Sequence, residues 1–370
     1  MNKLSVNSKK SLLVRTITAI VFVAILFPCT LYGDWPFFIM MVFLSVVGTY
    51  EVIHAAGAHR YPIYIQIVVY LFVLSFIYWT FIKNSIQYQK IVIADKIYLN
   101  EIFVSILGII LYALILFLFA IFNSKFELND VTYLFTIGIV FALGMQGILF
   151  IRYFPASSGA VNYANSNIGF ISDKIGSTTP ANYFKDYYVY FDKNSAFSSS
   201  LLMFFTFVGT FMSDVGAYLF GMLFGKHHMS PRISPHKTWE GFFGGMIVSI
   251  LCSLSFAAIM EYCFNLPLVP GIIQFQNSDL LKFMGVLNGT AWPFITLIAI
   301  MMPVVGNVGG FLYSLIKRHF GIKDYGKLLP GHGGVIDRFD STMINSIMMA
   351  ILILLTANGW NLTIWKKWFF

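Results

Sequence analysis

Runs of about 20 apolar residues recur along this chain, and a run of that length is what a helix needs to cross the hydrocarbon of a bilayer. They lie near 12–32, 35–53, 62–82, 102–123, 133–152, 200–224, 241–263, 291–316 and 341–359. Within lipid, every backbone N–H and C=O must find a partner inside the protein, so such runs fold as helices. The expected fold is an all-α polytopic integral membrane protein with about nine transmembrane helices. Composition agrees: 58% of the residues are hydrophobic and 11% charged, where a soluble domain carries roughly 25% charged residues.

The run near 291–316 contains Pro303, Gly306, Asn307, Gly309 and Gly310, which predicts a helix broken into two halves of the kind that lines a membrane cavity. The first run follows Lys3, Lys9, Lys10 and Arg15 and continues through Gly33 into a second span. A cleaved leader has a shorter apolar core, so this stretch reads as a retained first helix. Lys and Arg concentrate before the first span and in the loops at 225–240 and 317–340, which places the N-terminus and both loops on the cytoplasmic side. The organisation reads as N-terminal transmembrane helices over 1–153, an extracytoplasmic polar insert over 154–199, and a C-terminal catalytic transmembrane domain over 200–370.

The net charge of +8 suits anionic lipid or phosphorylated substrates. The basic residues flank apolar spans and form no separate soluble unit, which argues against nucleic acid as a partner. Cys29, Cys252 and Cys263 have no paired spacing, so neither a disulfide framework nor a zinc site follows. His227, His228 and His236 lack Cys or carboxylate partners at ligand spacing and give no zinc site either.

Chemistry concentrates in two stretches. From Ser314 to Asp340 the chain holds Lys317, Arg318, Lys323, Asp324, Lys327, His332, Asp337, Arg338 and Asp340, with Gly331, Gly333 and Gly334 around the histidine. Cations suit phosphates, paired carboxylates suit a hard cation such as Mg²⁺, and clustered glycines allow a backbone nest for an anion. Asp337 and Asp340 share a face if the next helix begins here, and Asp340 is then a candidate N-cap. Gly321 to Lys327 has P-loop spacing, but Leu328 stands where Ser or Thr is required and no strand precedes it.

The second stretch spans 213–241. Asp214 sits within an apolar run, where a carboxylate costs about 2.5–3.5 kcal/mol on insertion scales and is functional or paired by default. Gly216, Gly221 and Gly225 suit close helix packing. The following loop offers Lys226, Arg232, Lys237, Ser234 and Thr238, suited to a nucleotide or lipid phosphate.

At these residues the chain resembles the phosphatidate cytidylyltransferase (CDP-diacylglycerol synthase) family. Ser314, Lys317-Arg318, Lys323-Asp324, Gly326, Pro330, His332-Gly333-Gly334 and Asp337-Arg338-Phe339-Asp340 fill its C-terminal signature in register. Asp214, Ala217-Tyr218, Gly221, Phe224-Gly225-Lys226, Ile233-Ser234-Pro235 and Lys237-Thr238-Trp239-Glu240-Gly241 match a second block. Arg15 to Thr18 and Glu51 resemble the family more loosely. One departure is Gly310, where many bacterial members carry a metal-binding aspartate.

The resemblance implies a multi-pass enzyme of the cell membrane with its active site between the C-terminal helices, on the cytoplasmic side. It would make CDP-diacylglycerol and pyrophosphate from CTP and phosphatidate, with Mg²⁺ as cofactor and the lipid bilayer as setting. It implies Asp337, Asp340, Lys317, Arg318 and His332 as catalytic residues. Lys226, Ser234, Lys237, Lys323, Gly333, Gly334 and Arg338 would bind substrate, and Asp337, Asp340 and Asp214 would hold the metal. The sequence leaves a homodimer open. Two rivals are a CTP-dependent transferase acting on another lipid phosphate and a membrane transporter using Asp214 in an ion path.

Overall fold

A computed structural model describes residues 6–57, 60–84, 101–157, 193–264, 268, 292–331 and 333–357. Among these residues, nine long helices stand at the nine apolar runs. They are α1 (Val6–Tyr32), α2 (Asp34–Ala55), α3 (Ile63–Asn84), α4 (Glu101–Phe122), α5 (Leu128–Ser157), α6 (Lys193–Phe224), α7 (Trp239–Ala258), α8 (Trp292–His319) and α9 (Ile336–Ala357). A π turn over Ile259–Cys263 prolongs α7, and an antiparallel hairpin, β1 (His228–Ser230) with β2 (Ser234–Thr238), joins α6 to α7.

Six of the helices are long and apolar enough to cross a membrane: α2, α3, α5, α6, α7 and α8. The described apolar parts of α1 and α4 are shorter. Helix α9 opens on Asp337, Arg338 and Asp340 and is not among the six. The protein is thus an all-α membrane protein with six spans by length and composition among the described residues. Large side chains such as Phe37, Phe141, Phe205, Phe294 and Phe339 are fully buried, while Ile20, Leu71, Ile121, Phe122 and Leu223 are exposed. An outer surface as apolar as the core is what a lipid solvent selects.

Helices α6 and α7 form the most extensive pair, and α9 lies between α5 and α8. Glycines set these approaches. A Cβ on Gly216 would strike Val248, one on Gly245 would strike the Ser213 carbonyl, and one on Gly147 would strike the backbone of Ser346. Close backbone approach through small residues is how membrane helices gain packing energy without a hydrophobic drive. The α5–α9 contact also binds the N-terminal helices to the C-terminal ones in one bundle.

Two expectations are corrected. Helix α8 is continuous through Pro303 and is not split in two. Its glycines serve as contacts: Gly306 faces Asn345, Gly309 faces Ile344 and Gly310 faces Ser341, so α8 and α9 lie antiparallel in close contact. Asn307 Nδ2 donates to the Pro303 carbonyl at 3.0 Å, in the turn that follows the proline. Secondly, α9 begins at Ile336, so Asp340 lies in its second turn and is not its N-cap. Helices α5 and α6 reach to Ser157 and from Lys193, so both enter the expected 154–199 insert, whose remainder lies outside the described residues.

Candidate functional site

Helix α8 ends on a glycine with φ +67°, Gly321, where the Ile322 N–H reaches back to the Lys317 carbonyl at 2.9 Å. That left-handed stop turns the chain across the end of the bundle. Tyr325 is buried, and its hydroxyl donates to the Tyr313 carbonyl at 3.0 Å. A short bridge between Leu329 and Gly333 closes a tight turn, with Gly331 and Gly333 both at positive φ. The chain then enters α9.

The start of α9 is held by two carboxylates. Asp337 Oδ2 accepts from the N–H groups of Tyr325 (2.9 Å) and Gly334 (3.0 Å), while Oδ1 takes the Lys317 ammonium at 2.8 Å. Glu51, 3% exposed at the end of α2, accepts from the Val335 and Ile336 N–H groups at 2.9 and 3.0 Å. The Gly333 N–H meets the Leu329 carbonyl at 3.1 Å. The backbone donors of Gly333 and Gly334 that promised an anion nest are therefore taken by the protein's own oxygens, and His332 lies outside the described residues.

The hairpin comes to the same end of the bundle. Thr238 caps α7, its hydroxyl accepting from the Gly241 N–H at 3.2 Å. Glu240 receives the Lys226 and His227 N–H groups, and its other oxygen pairs with His227 Nδ1 at 2.6 Å. Arg318 Nε donates to the Ile233 carbonyl at 3.2 Å, tying hairpin to loop. Lys237 points inward, its ammonium 3.2 Å from Asn307 Oδ1 and 4.6 Å from the centre of the Phe311 ring. Burial lowers its pKa, and the charges of Asp214 and Asp340 pull the other way.

A cluster results in which Asp214, Asp340, Lys237 and Arg338 lie within electrostatic reach of one another. A Cβ placed on Gly310 would stand 3.0 Å from the Lys237 ammonium and 3.9 Å from Asp340 Oδ2. The bare backbone of that glycine thus opens a cradle between an ammonium and a carboxylate. Beside it, Lys323, Asp324, Gly326, Lys327, Leu329, Pro330, Gly331, Gly333 and Arg338 line a cavity of about 700 Å³. Among the described residues, Lys323, Lys327 and Arg338 pair with no carboxylate. Three unpaired cations around one cavity suit a polyanion.

The predicted residues fall into distinct groups. Lys237 and Asp340 meet at the cradle, with Asp214 and Arg338 within electrostatic reach, and Lys323, Gly333 and Arg338 meet at the cavity. Asp337 and Lys317 are partners of each other and brace the loop. Arg318 braces the hairpin, Lys226 is exposed at the hairpin's base, and Ser234 sits within β2. Sequence reading missed any role for Asn307 and Tyr325 and left Glu51 without one. For Glu51 there was a signal: a carboxylate inside an apolar run is paired or functional by default.

Mg²⁺ binds through one or two carboxylates together with substrate phosphates. Among the described residues, no three His, Cys, Asp or Glu side chains gather tightly enough to hold a metal alone. Asp340 at an open cradle, with Asp214 within electrostatic reach and a basic cavity alongside, fits that shared mode of binding. Both Asp337 oxygens are already engaged.

Comparison with known proteins adds the relatives. A sequence model of the Cytidylyltransferase family matches residues 13–356. The chain is 41% identical over 152 residues to a phosphatidate cytidylyltransferase of Staphylococcus epidermidis, a stretch covering 41% of this chain and 48% of that protein. It is 37% identical over 150 residues to the protein of the same name from Staphylococcus saprophyticus, and 34% over 150 residues to that of Staphylococcus aureus. Each of these two stretches covers 40% of this chain and 48% of the relative. The chain thus spans about half the length of the curated relatives it matches.

Proposed function

This chain belongs to the cytidylyltransferase family, and from that premise we propose that it transfers the cytidylyl group of CTP to phosphatidate, yielding CDP-diacylglycerol and pyrophosphate. The observation that carries the reading is the joining of two charged loops at one end of the bundle. A basic cavity sized for a nucleotide lies beside a carboxylate–ammonium cradle.

A non-bridging oxygen of the lipid phosphate attacks the α-phosphorus of CTP. The new P–O bond forms as the bond to the β-phosphate bridge breaks, and the electron pair leaves with pyrophosphate. The nucleophile is already an anion, so no strong base is needed. The protein's task is to bring two polyanions together and offset their charge. Lys323, Lys327 and Arg338 bind the triphosphate in the cavity. Lys237, held by Asn307, faces the cradle and offsets charge on the lipid phosphate. Asp340 and Asp214 would hold Mg²⁺, which when bound supplies charge neutralisation on the phosphates. Lys317 and Asp337 keep the loop that carries the cations in place, and His332 is proposed as a phosphate hydrogen-bond donor.

We place nine crossings in the membrane, with this end of the bundle in the cytoplasm where CTP is available. In a background lacking Cys29, Cys252 and Cys263, His228→Cys and Leu328→Cys should resist an impermeant thiol reagent in intact cells and react after lysis. Labelling from outside would overturn the orientation. The densest ionisable clusters, in the loops at 225–240 and 317–340, lie at this one end, which speaks for transfer chemistry over an ion path through Asp214. The reaction itself is tested by incubating purified protein with CTP, phosphatidate and Mg²⁺ and resolving lipid products. CDP-diacylglycerol is expected, and a faster reaction with an ether-linked lipid phosphate would move the reading to another acceptor.

A further inference from the structure

Glu51 belongs to α2, far in sequence from both charged loops, yet it ends inside the loop that carries the cations. Its two oxygens meet successive N–H groups at the first turn of α9, Val335 at 2.9 Å and Ile336 at 3.0 Å. These are orphan donors at the positive end of a helix, the place where a carboxylate gains most. A local cap would come from residue 333, 334 or 335, and those are Gly, Gly and Val. The cap comes instead from another helix.

Two glycines show how closely the loop is fitted to this carboxylate. A Cβ on Gly326 would collide with the Glu51 side chain, and one on Gly334 would collide with both of its oxygens. At both positions all three nearest atoms belong to Glu51. Neither glycine has positive φ, so backbone strain does not require glycine there. What requires it is room for the Glu51 carboxylate. The first turn so held carries Asp337 and Arg338, with Asp340 one turn on, and Gly326 is flanked by Tyr325 and Lys327.

We propose that Glu51 is a positioning residue of the active site, a carboxylate from the N-terminal helices that fixes the loop over 325–335 and the entry of α9, with Gly326 and Gly334 kept bare to admit it. This rests on the transferase reading for its activity readout but not for its structural one. The N-terminal helices then complete the site as well as anchoring the chain.

The test is a double-mutant cycle on the full-length purified protein. Glu51→Ala should lower kcat at least tenfold and raise KM for CTP less, with a melting temperature within a few degrees of the parent. Gly334→Ala should lower kcat to a similar extent, because its methyl group displaces the carboxylate. The double variant should be no worse than the poorer single one. Glu51→Gln, which keeps one acceptor oxygen but turns an NH2 donor toward the second amide, should recover only part of the loss. In parallel, amide hydrogen exchange at Val335 and Ile336 should quicken in Glu51→Ala, a readout that needs no turnover. Multiplying losses in the cycle, or unchanged exchange at those two amides, would overturn the proposal. An inactive parent whose exchange still responds to Glu51→Ala would sink the transferase reading and leave the positioning role standing.

Discussion

Two carboxylate–cation groups sit at the same end of this bundle and are built on opposite plans. Asp130, at the start of α5, is 3% exposed and fully engaged. Arg60 reaches it through Nε and NH2, both at 2.6 Å, the Tyr61 hydroxyl donates at 3.2 Å, and the Glu127 N–H takes the other oxygen at 3.1 Å. Asp340, on α9, has one close protein donor, the Ser341 N–H at 2.7 Å. Within electrostatic reach of it stand Lys317, Lys237, Arg338 and Asp214, none joined to it by an ion pair among the described residues. The first arrangement spends its charge on holding α5 to the turn before α3. The second leaves charge open toward a cradle. A carboxylate whose lone pairs are used reads as structure, and one whose lone pairs are left over at an open site reads as chemistry.

The largest effect is expected at Asp340. Asp340→Asn should lower kcat by about 10²–10³-fold, the range seen when one preorganised electrostatic group is removed, with little change in thermal stability. Asp214→Asn should cost somewhat less, about 10–100-fold, because the second carboxylate remains. Raised Mg²⁺ should restore part of either loss. Normal turnover in Asp214→Asn would return this residue to helix packing and narrow the open group to Asp340.

Smaller changes are expected at the cavity. Lys327→Gln or Lys323→Gln should raise KM for CTP about tenfold each, the equivalent of roughly 1.4 kcal/mol of lost phosphate contact, with kcat nearly unchanged. Steady-state kinetics over a range of CTP would show it. Least effect on the reaction is expected from Asp130→Asn. It should remove about 1–3 kcal/mol of stability through a buried donor left poorly paired, while the folded fraction turns over normally. A specific loss of kcat in that variant, at full folding, would erase the contrast between the two groups.

The helices were legible because lipid allows few alternatives: an apolar run of the right length must close its hydrogen bonds within a helix. The run at 291–316 misled because Pro303 and three glycines are local breakers, and their use here is not local. Gly306, Gly309 and Gly310 are where α9 comes close, a fact set by a partner absent from that stretch of sequence. The site divides in the same way. Lys323, Lys327, Arg338, Asp340 and Lys237 announce themselves in two charged stretches of an apolar chain, and Asp214 by its charge within an apolar run. Asp340 reads as an N-cap because it precedes Ser341 before an apolar run, but the helix starts at Ile336 under a cap that Glu51 supplies from 284 residues away. The glycines near His332 suggest an anion nest, yet the Glu51 carboxylate stands against Gly334, as it does against Gly326. No local pattern encodes such a contact.

Position-specific labelling of CTP follows the transfer of the cytidylyl group itself. Purified protein in lipid nanodiscs containing phosphatidate, supplied with Mg²⁺, would receive CTP labelled either at the α- or at the γ-phosphorus. Label from the α position should enter the lipid fraction, and label from the γ position should leave as pyrophosphate. Label passing from the γ position into lipid, or no lipid label from either, would contradict the account.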